Sequence, residues 1–304
     1  MKALRYILIA FLASAPVVAG GCNKVFLFSR EDEIALGRQY APEFEEEFGG
    51  RVQDERVQLY VQSIGRRLET VAERDMPYEF ALLRSETPNA FALPGGPVYI
   101  TAGLFTEMTT ERQLAAVLGH EIGHIVHRDS AKGLQRQVGI EVLAAVVGGA
   151  LGGTEGEAAE MAAQVVGGIV NLKYSRDQEY ASDQAGIKYM ADIGYNPWGM
   201  VELLELLMSE QEGGRLGEML STHPLTSKRI EEAAQTIRDE YPSYSRSAED
   251  PNAAEFMRFR RIVEALPPPP PPEQDDNTPV NTAAGSHSHS RARSTTRVRI
   301  PDPE

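Results

Sequence analysis

Apolar residues recur every three or four positions through most of the first 240 residues, and glycine- or proline-rich breaks separate the stretches that do so. Residues 31 to 48 set Ile34, Leu36, Tyr40, Phe44 and Phe48 among carboxylates, and Gly49-Gly50 closes that helix. Residues 54 to 73 carry a second stripe of Val57, Tyr60, Val61, Ile64, Leu68 and Val71. The period then changes. Tyr78 to Leu83 reads as a strand. Asn89-Ala90-Phe91-Ala92-Leu93 runs into Pro94-Gly95-Gly96-Pro97 and then Val98 to Thr101, a hairpin-like unit with turn chemistry at its tip. Pro94 and Pro97 suit an edge strand, where a missing donor is tolerated, and an exposed edge can take an extended peptide by strand addition.

Helical spacing resumes with Leu114, Val117, Leu118, Ile122 and Ile125, behind a capping box of Thr110 and Gln113. Val138 to Ile169 is rich in Gly, Ala and Val and breaks at Gly152 to Glu157. Each half is shorter than the roughly 20 residues that cross a bilayer, so it reads as a helical hairpin packed on the domain. Ser175 with Gln178 opens a further helix that Gly194 and Pro197 end. Met200, Val201, Leu203, Leu204, Leu207 and Met208 form the core face of the next, and a last helix runs from about Ser227 to Glu240. The expected class is α+β, mostly helical, with a small antiparallel sheet and an edge strand.

Composition narrows the function. A net charge of −14 on 304 residues argues against a general nucleic-acid binder. A single cysteine excludes an intrachain disulfide framework and a Cys-rich metal site, so any zinc must be held by His and carboxylate. Lys2 and Arg5 precede an apolar run from Tyr6 to Leu12 and a small-residue stretch to Gly21, the form of a secretory signal over residues 1–21. Cys22 follows Ala19-Gly20-Gly21 and resembles the lipidated cysteine of a bacterial lipoprotein, although Ala19 stands where Leu is usual. Ordinary signal cleavage is the alternative. Residues 22–30 then form a lipidated linker, and Asn23 favours the outer over the inner membrane. At the other end, residues 266–304 hold a proline run, Asp275-Asp276 and a basic stretch from Arg291 to Arg299. Such a tail buries no core and reads as disordered, with its arginines open to an anionic partner: lipid, nucleic acid or wall polymer.

The chemistry concentrates in His120-Glu121-Ile122-Gly123-His124. Residues four apart share a helix face, so the two imidazoles can reach one metal ion while Glu121 reaches its water. That is a hydrolytic arrangement. A second helix carries Glu179 and Asp183, also four apart. Glu179 is the candidate third ligand. Asp183 is placed to accept the free ring N–H of a ligand histidine. His223 lies in a loop, Ser221-Thr222-His223-Pro224, and Arg229 on the following helix can tie that loop to the site through a carboxylate.

Together H-E-I-G-H, S-R-D-Q-E-Y-A-S-D and S-T-H-P ahead of Arg229 resemble the M48 zinc metallopeptidases, over about residues 31 to 240. The nearest likeness is to bacterial exported lipoproteins of that gluzincin family without a tetratricopeptide array. The resemblance implies a zincin-type domain over 31–245 with a short helical extension over 246–265. It implies one zinc on His120, His124 and Glu179, with Glu121 as general base and His223 near the metal. It makes Asn89, Ala90, Phe91, Ala92 and Leu93 the strand that aligns substrate. The metzincin pattern does not apply, since it needs Gly at 127 and His at 130, where this chain has His127 and Ser130. The expected function is a zinc endopeptidase, lipid-anchored and facing the periplasm, that cleaves unfolded or misassembled envelope proteins. The alternative is a latent or inactive zinc-binding chaperone or adaptor of the envelope.

Overall fold

The computed structural model describes residues 28–139, 143, 155–209 and 217–268. The expected signal segment, Cys22, most of the first half of the Gly/Ala/Val-rich hairpin and the tail beyond residue 268 lie outside them.

Helix α1 (Arg30–Glu47) starts at Ser29, whose hydroxyl accepts from the Asp32 N–H while the Asp32 carboxylate accepts from the Ser29 N–H. Two orphan donors of the first turn are thereby satisfied. Its Leu36, Tyr40 and Phe44 face inward. Helix α2 (Glu55–Glu69) is capped by Asp54 and buries Val57, Tyr60, Val61, Ile64 and Leu68. It ends four residues earlier than its apolar stripe suggests, because the chain turns at Thr70.

Strands β1 (Glu79–Leu83), β2 (Ala90–Ala92) and β3 (Pro97–Thr101) form one sheet in the order β1-β3-β2. The hairpin β2–β3 is antiparallel, pairing Phe91 with Tyr99. Strand β1 joins β3 in parallel, pairing Ala81 with Tyr99, so the sheet is mixed rather than wholly antiparallel. The outer edge of β1 is closed. Val52 N–H donates to Leu82 O at 2.9 Å, and the buried Gln58 amide bonds both the N–H and the C=O of Leu82. Strand β2 is left as the open edge of the sheet. Gly95, at φ 90°, forms the tip of the hairpin under α1. A Cβ there would sit 2.2 Å from the Glu33 carbonyl oxygen, so the close packing needs glycine twice over.

After α3 (Ala102–Glu107), helix α4 (Glu111–Val126) runs through the core with nearly every residue buried. Thr110 and Gln113 form its capping box. Glu111, buried in its first turn, accepts from the hydroxyls of Tyr60 and Tyr195, each at 2.6 Å, and from Asn252 at 2.7 Å. A carboxylate so placed also suits the positive end of the helix dipole. Then follow α5 (Asp129–Val138), α6 (Glu155–Val170), α7 (Arg176–Asp192), α8 (Trp198–Ser209), α9 (Gly217–Thr222), α10 (Ser227–Glu240) and α11 (Ala253–Glu264). Phe256 of α11 packs on Phe105 and Phe259 stacks on Tyr60, so the segment after residue 245 shares the core of α2 and α3.

The pairing of α4 with α7 positions the site. A Cβ at Gly119 would lie 3.1 Å from the Gly186 Cα, and one at Gly123 would lie 3.0 Å from the Ser182 Cα. Small residues thus bring the two backbones into contact, and side chains from both helices can converge on one point. Among the described residues no helix is long and apolar enough to cross a membrane.

Candidate metal centre

His120 and His124 project from the same face of α4, and their Nε2 atoms stand 3.1 Å apart. Each ring is oriented from behind. His120 Nδ1 lies 3.0 Å from Asp183 Oδ1 on α7. His124 Nδ1 lies 3.1 Å from Asp129 Oδ2 at the start of α5 and 3.0 Å from the Ser182 hydroxyl. With each Nδ1–H given to a carboxylate, the Nε2 atoms present lone pairs. Two lone pairs facing each other at that distance repel unless a cation lies between them.

Glu179, one turn before Asp183 on α7, closes the third side. Its Oε1 lies 3.3 Å from His124 Nε2, and its Oε2 lies 3.7 Å from His120 Nε2. His223, at the end of α9, brings Nδ1 to 2.9 Å from Glu179 Oε1 and 3.4 Å from His120 Nε2. The four donors of His120, His124, Glu179 and His223 lie within 4.8 Å of one another, and all four residues are buried. Three imidazoles and one carboxylate make a donor set that fits zinc.

Arg229 of α10 braces the centre. Its Nε and Nη2 each donate to Asp183 at 2.8 Å, and Nη1 donates to Glu179 Oε2 at 2.5 Å. Nη1 also reaches the Pro224 carbonyl at 3.0 Å, which fastens the His223 loop to the same guanidinium. Tyr174 N–H donates to the Thr222 carbonyl at 3.1 Å. Burial alone would raise the pKa of Asp183, but the Arg229 charge and the His120 contact hold its carboxyl below the usual range. Burial is likewise outweighed at Glu179, which His223 and His124 hold well below it. At His124 burial would lower the pKa, yet the Asp129 and Glu179 carboxylates lift it to about 9. The surroundings therefore favour positive charge at this point, as a metal site must.

Glu121 is fully buried, and neither of its carboxylate oxygens has a hydrogen-bond partner. The His223 Nε2 atom stands 3.9 Å from Oε1. A buried carboxylate without a partner is costly as a structural element. It is what a base aimed at a water or substrate atom requires. Beside it an apolar pocket is lined by Val117, Met200, Leu203, Leu204, Leu207 and Met219.

The sequence-selected residues His120, Glu121, His124, Glu179, Asp183, His223 and Arg229 thus meet at one place. Asn89 to Leu93 lie on and beside β2, which packs against α4. Their side chains are not exposed: all five are at most 6% accessible, and Phe91 sits against Phe44 of α1 and Phe48 just past its end. Three contributors carried no sequence signal. Asp129 and Ser182 meet His124, and the Tyr174 ring stacks on His124 with centroids 3.9 Å apart.

Fold and centre together define an H-E-x-x-H arrangement that could hold one zinc ion, with a further carboxylate donor from a neighbouring helix. The sequence model of peptidase family M48 matches residues 55–237, and the chain belongs to that family. Relatives include the beta-barrel assembly-enhancing protease of Escherichia coli, 30% identical over 66% of this chain and 42% of the relative. The mitochondrial metalloendopeptidase OMA1 of Schizosaccharomyces pombe is 31% identical over 57% of this chain and 50% of its own. The metalloprotease LoiP of Escherichia coli is 29% identical over 57% of this chain and 69% of its own. The aligned region spans less than half the length of the assembly-enhancing relative.

Proposed function

We propose that this chain is a zinc-dependent endopeptidase of the bacterial cell envelope that acts on unfolded or misassembled proteins. The carrying observation is the partnerless, fully buried Glu121 beside the converging donors of His120, His124 and Glu179. A structural zinc site has no use for that carboxylate, which disfavours a purely scaffolding role. His120, His124 and Glu179 would hold a zinc ion, which would supply Lewis acidity and bring the pKa of the attacking water toward neutrality. Glu121 accepts the proton of the attacking water and returns it to the leaving amine. Asp183 and Asp129 accept from the Nδ1 side of the two rings, which turns the Nε2 atoms toward the metal position.

Substrate enters as an extended strand along β2. The hydrogen-bonded pairs 89–101 and 93–97 of the hairpin leave the N–H and C=O of Ala92 on the side away from β3. An added strand would pair there through its backbone, which suits unfolded chains of many sequences. The role of the E. coli relative named for β-barrel assembly favours envelope proteins as substrates. Lipidation at Cys22, outer-membrane attachment on the periplasmic side, and an anionic partner for the basic tail belong to the same reading.

His223 favours latency at rest. A catalytic zinc needs one position for water, and His223 Nδ1, which lies among the same donors, would compete for it. Displacing the loop held by Tyr174 and Arg229 would open that position. The test is incubation of zinc-loaded protein with a permanently unfolded polypeptide, with and without chelator. Zinc-dependent fragments support the reading, and their absence even for His223→Ala would leave the zinc-binding adaptor instead. Under latency, His223→Ala cleaves faster than wild type. Were His223 an oxyanion donor, the same change would slow cleavage by about a hundredfold or more.

A further inference from the structure

Only His127 and Arg128 separate α4 from α5. Arg128 has φ 62° and ψ 28°, and among the described residues it is the one non-glycine with positive φ. A left-handed arginine is strained, because its Cβ crowds the following carbonyl oxygen. The conformation turns the chain back at once, so that Asp129, the first residue of α5, faces the last turns of α4. There its Oδ2 meets His124 Nδ1, and its Oδ1 accepts from Gln178 Nε2 at 2.7 Å.

The arginine side chain is held from outside the centre. Nε donates to Glu33 Oε1 at 2.6 Å, and Nη2 donates to the Phe28 carbonyl at 2.5 Å. Glu33, on α1, is 1% exposed. Its other oxygen accepts from Arg74 Nη1 at 2.7 Å, and that same nitrogen donates to the Ile125 carbonyl at 3.0 Å. One buried carboxylate therefore fastens both the C-terminal turn of the metal helix and the strained residue that follows it. Two cations gathered at that helix end also suit its dipole.

We propose that Asp129 is a positioning residue for the zinc ligand His124, and that the Glu33–Arg128 pair holds it there, so that α1 sets zinc affinity without touching the metal. The inference rests on the zinc reading above. Asp129 keeps the proton on Nδ1, aims the Nε2 lone pair and raises the basicity of the ring. Arg128 offsets the strain of the turn with an ion pair to the buried Glu33 rather than by being glycine.

Zinc affinity, measured by competition with a chromophoric chelator, and thermal unfolding of the metal-free protein together test it. Asp129→Asn keeps the size and removes the charge, and should weaken zinc by roughly ten- to a hundredfold. Arg128→Gly keeps the left-handed backbone at no steric cost but loses the pair, and should weaken zinc in the same direction. Glu33→Gln should do likewise, and the double variant with Arg128→Gly should weaken zinc by less than the product of the two single effects. Wild-type zinc affinity in Asp129→Asn would overturn the proposal. So would an Arg128→Gly protein that melts lower yet binds zinc as tightly as wild type, which would make the strap structural only. Neither readout requires cleavage, so failure here is separable from failure of the peptidase reading. A wild-type protein that takes up no zinc would overturn both.

Discussion

Replacing Arg229 with leucine removes a cation that faces two buried carboxylates and a loop carbonyl. Asp183 is 1% exposed and Glu179 fully buried, and Arg229 makes two of its four hydrogen bonds to the first and one to the second. Breaking a buried pair from one side costs about 3–5 kcal/mol, because a charge remains without its partner. For a domain of this size each kcal/mol lowers Tm by roughly 2–4 °C. The metal-free variant should therefore melt about 6–20 °C below the metal-free wild type. With zinc bound, Glu179 has a second source of positive charge and only Asp183 is left unsatisfied, so the deficit should shrink. Arg229→Lys should fall between the two, since an ammonium cannot match the bidentate fork on Asp183. Differential scanning calorimetry of all three proteins, each with and without zinc, reads this directly. A metal-free Arg229→Leu protein within about 2 °C of wild type would refute the claim that the guanidinium holds these charges.

Further outcomes follow from the same contacts. Glu179→Ala should abolish tight zinc binding, whereas Asp183→Asn should weaken it only by roughly ten- to a hundredfold, both read by elemental analysis and chelator competition. Asp183 and Glu179 are held below their ordinary values near 4, so the stability they confer on the metal-free protein is present above that pH and is lost as pH falls through and below it. Denaturation midpoints from pH 7 to pH 3 should drop more steeply for wild type than for a variant lacking both carboxylates. Cys22→Ala should release the protein from the membrane fraction of a bacterial host, and an unmodified N-terminus in the wild type, read by intact mass, would end the lipoprotein proposal.

The metal centre was legible where its geometry is local. His120 and His124 share a helix face by spacing alone, as do Glu179 and Asp183, and three capping boxes mark where α1, α4 and α7 begin. The Thr110 and Ser175 boxes could be read directly from residue types three apart. What escaped depends on packing between elements. Asp129 meets His124 only because Arg128 adopts a left-handed conformation, and nothing in residue type announces that. Ser182 reaches the same nitrogen because Gly123 lets α7 lie against α4. The parallel pairing of β1 depends on residues 50–52 closing its other edge, a long-range choice that alternation of side chains cannot express. Burial of Phe91 follows from Phe44 on α1 and Phe48 just after it, far off in sequence.

Glu121 is the proposed proton-transferring base. The most direct measurement is cleavage of an unfolded polypeptide by Glu121→Gln protein whose zinc content has been verified as equal to wild type. The glutamine keeps the shape of a fully buried side chain that has no hydrogen-bond partner. Zinc should stay bound while the rate constant falls by at least about a hundredfold. Undiminished turnover at full zinc occupancy would contradict the assignment of Glu121 and the mechanism built on it.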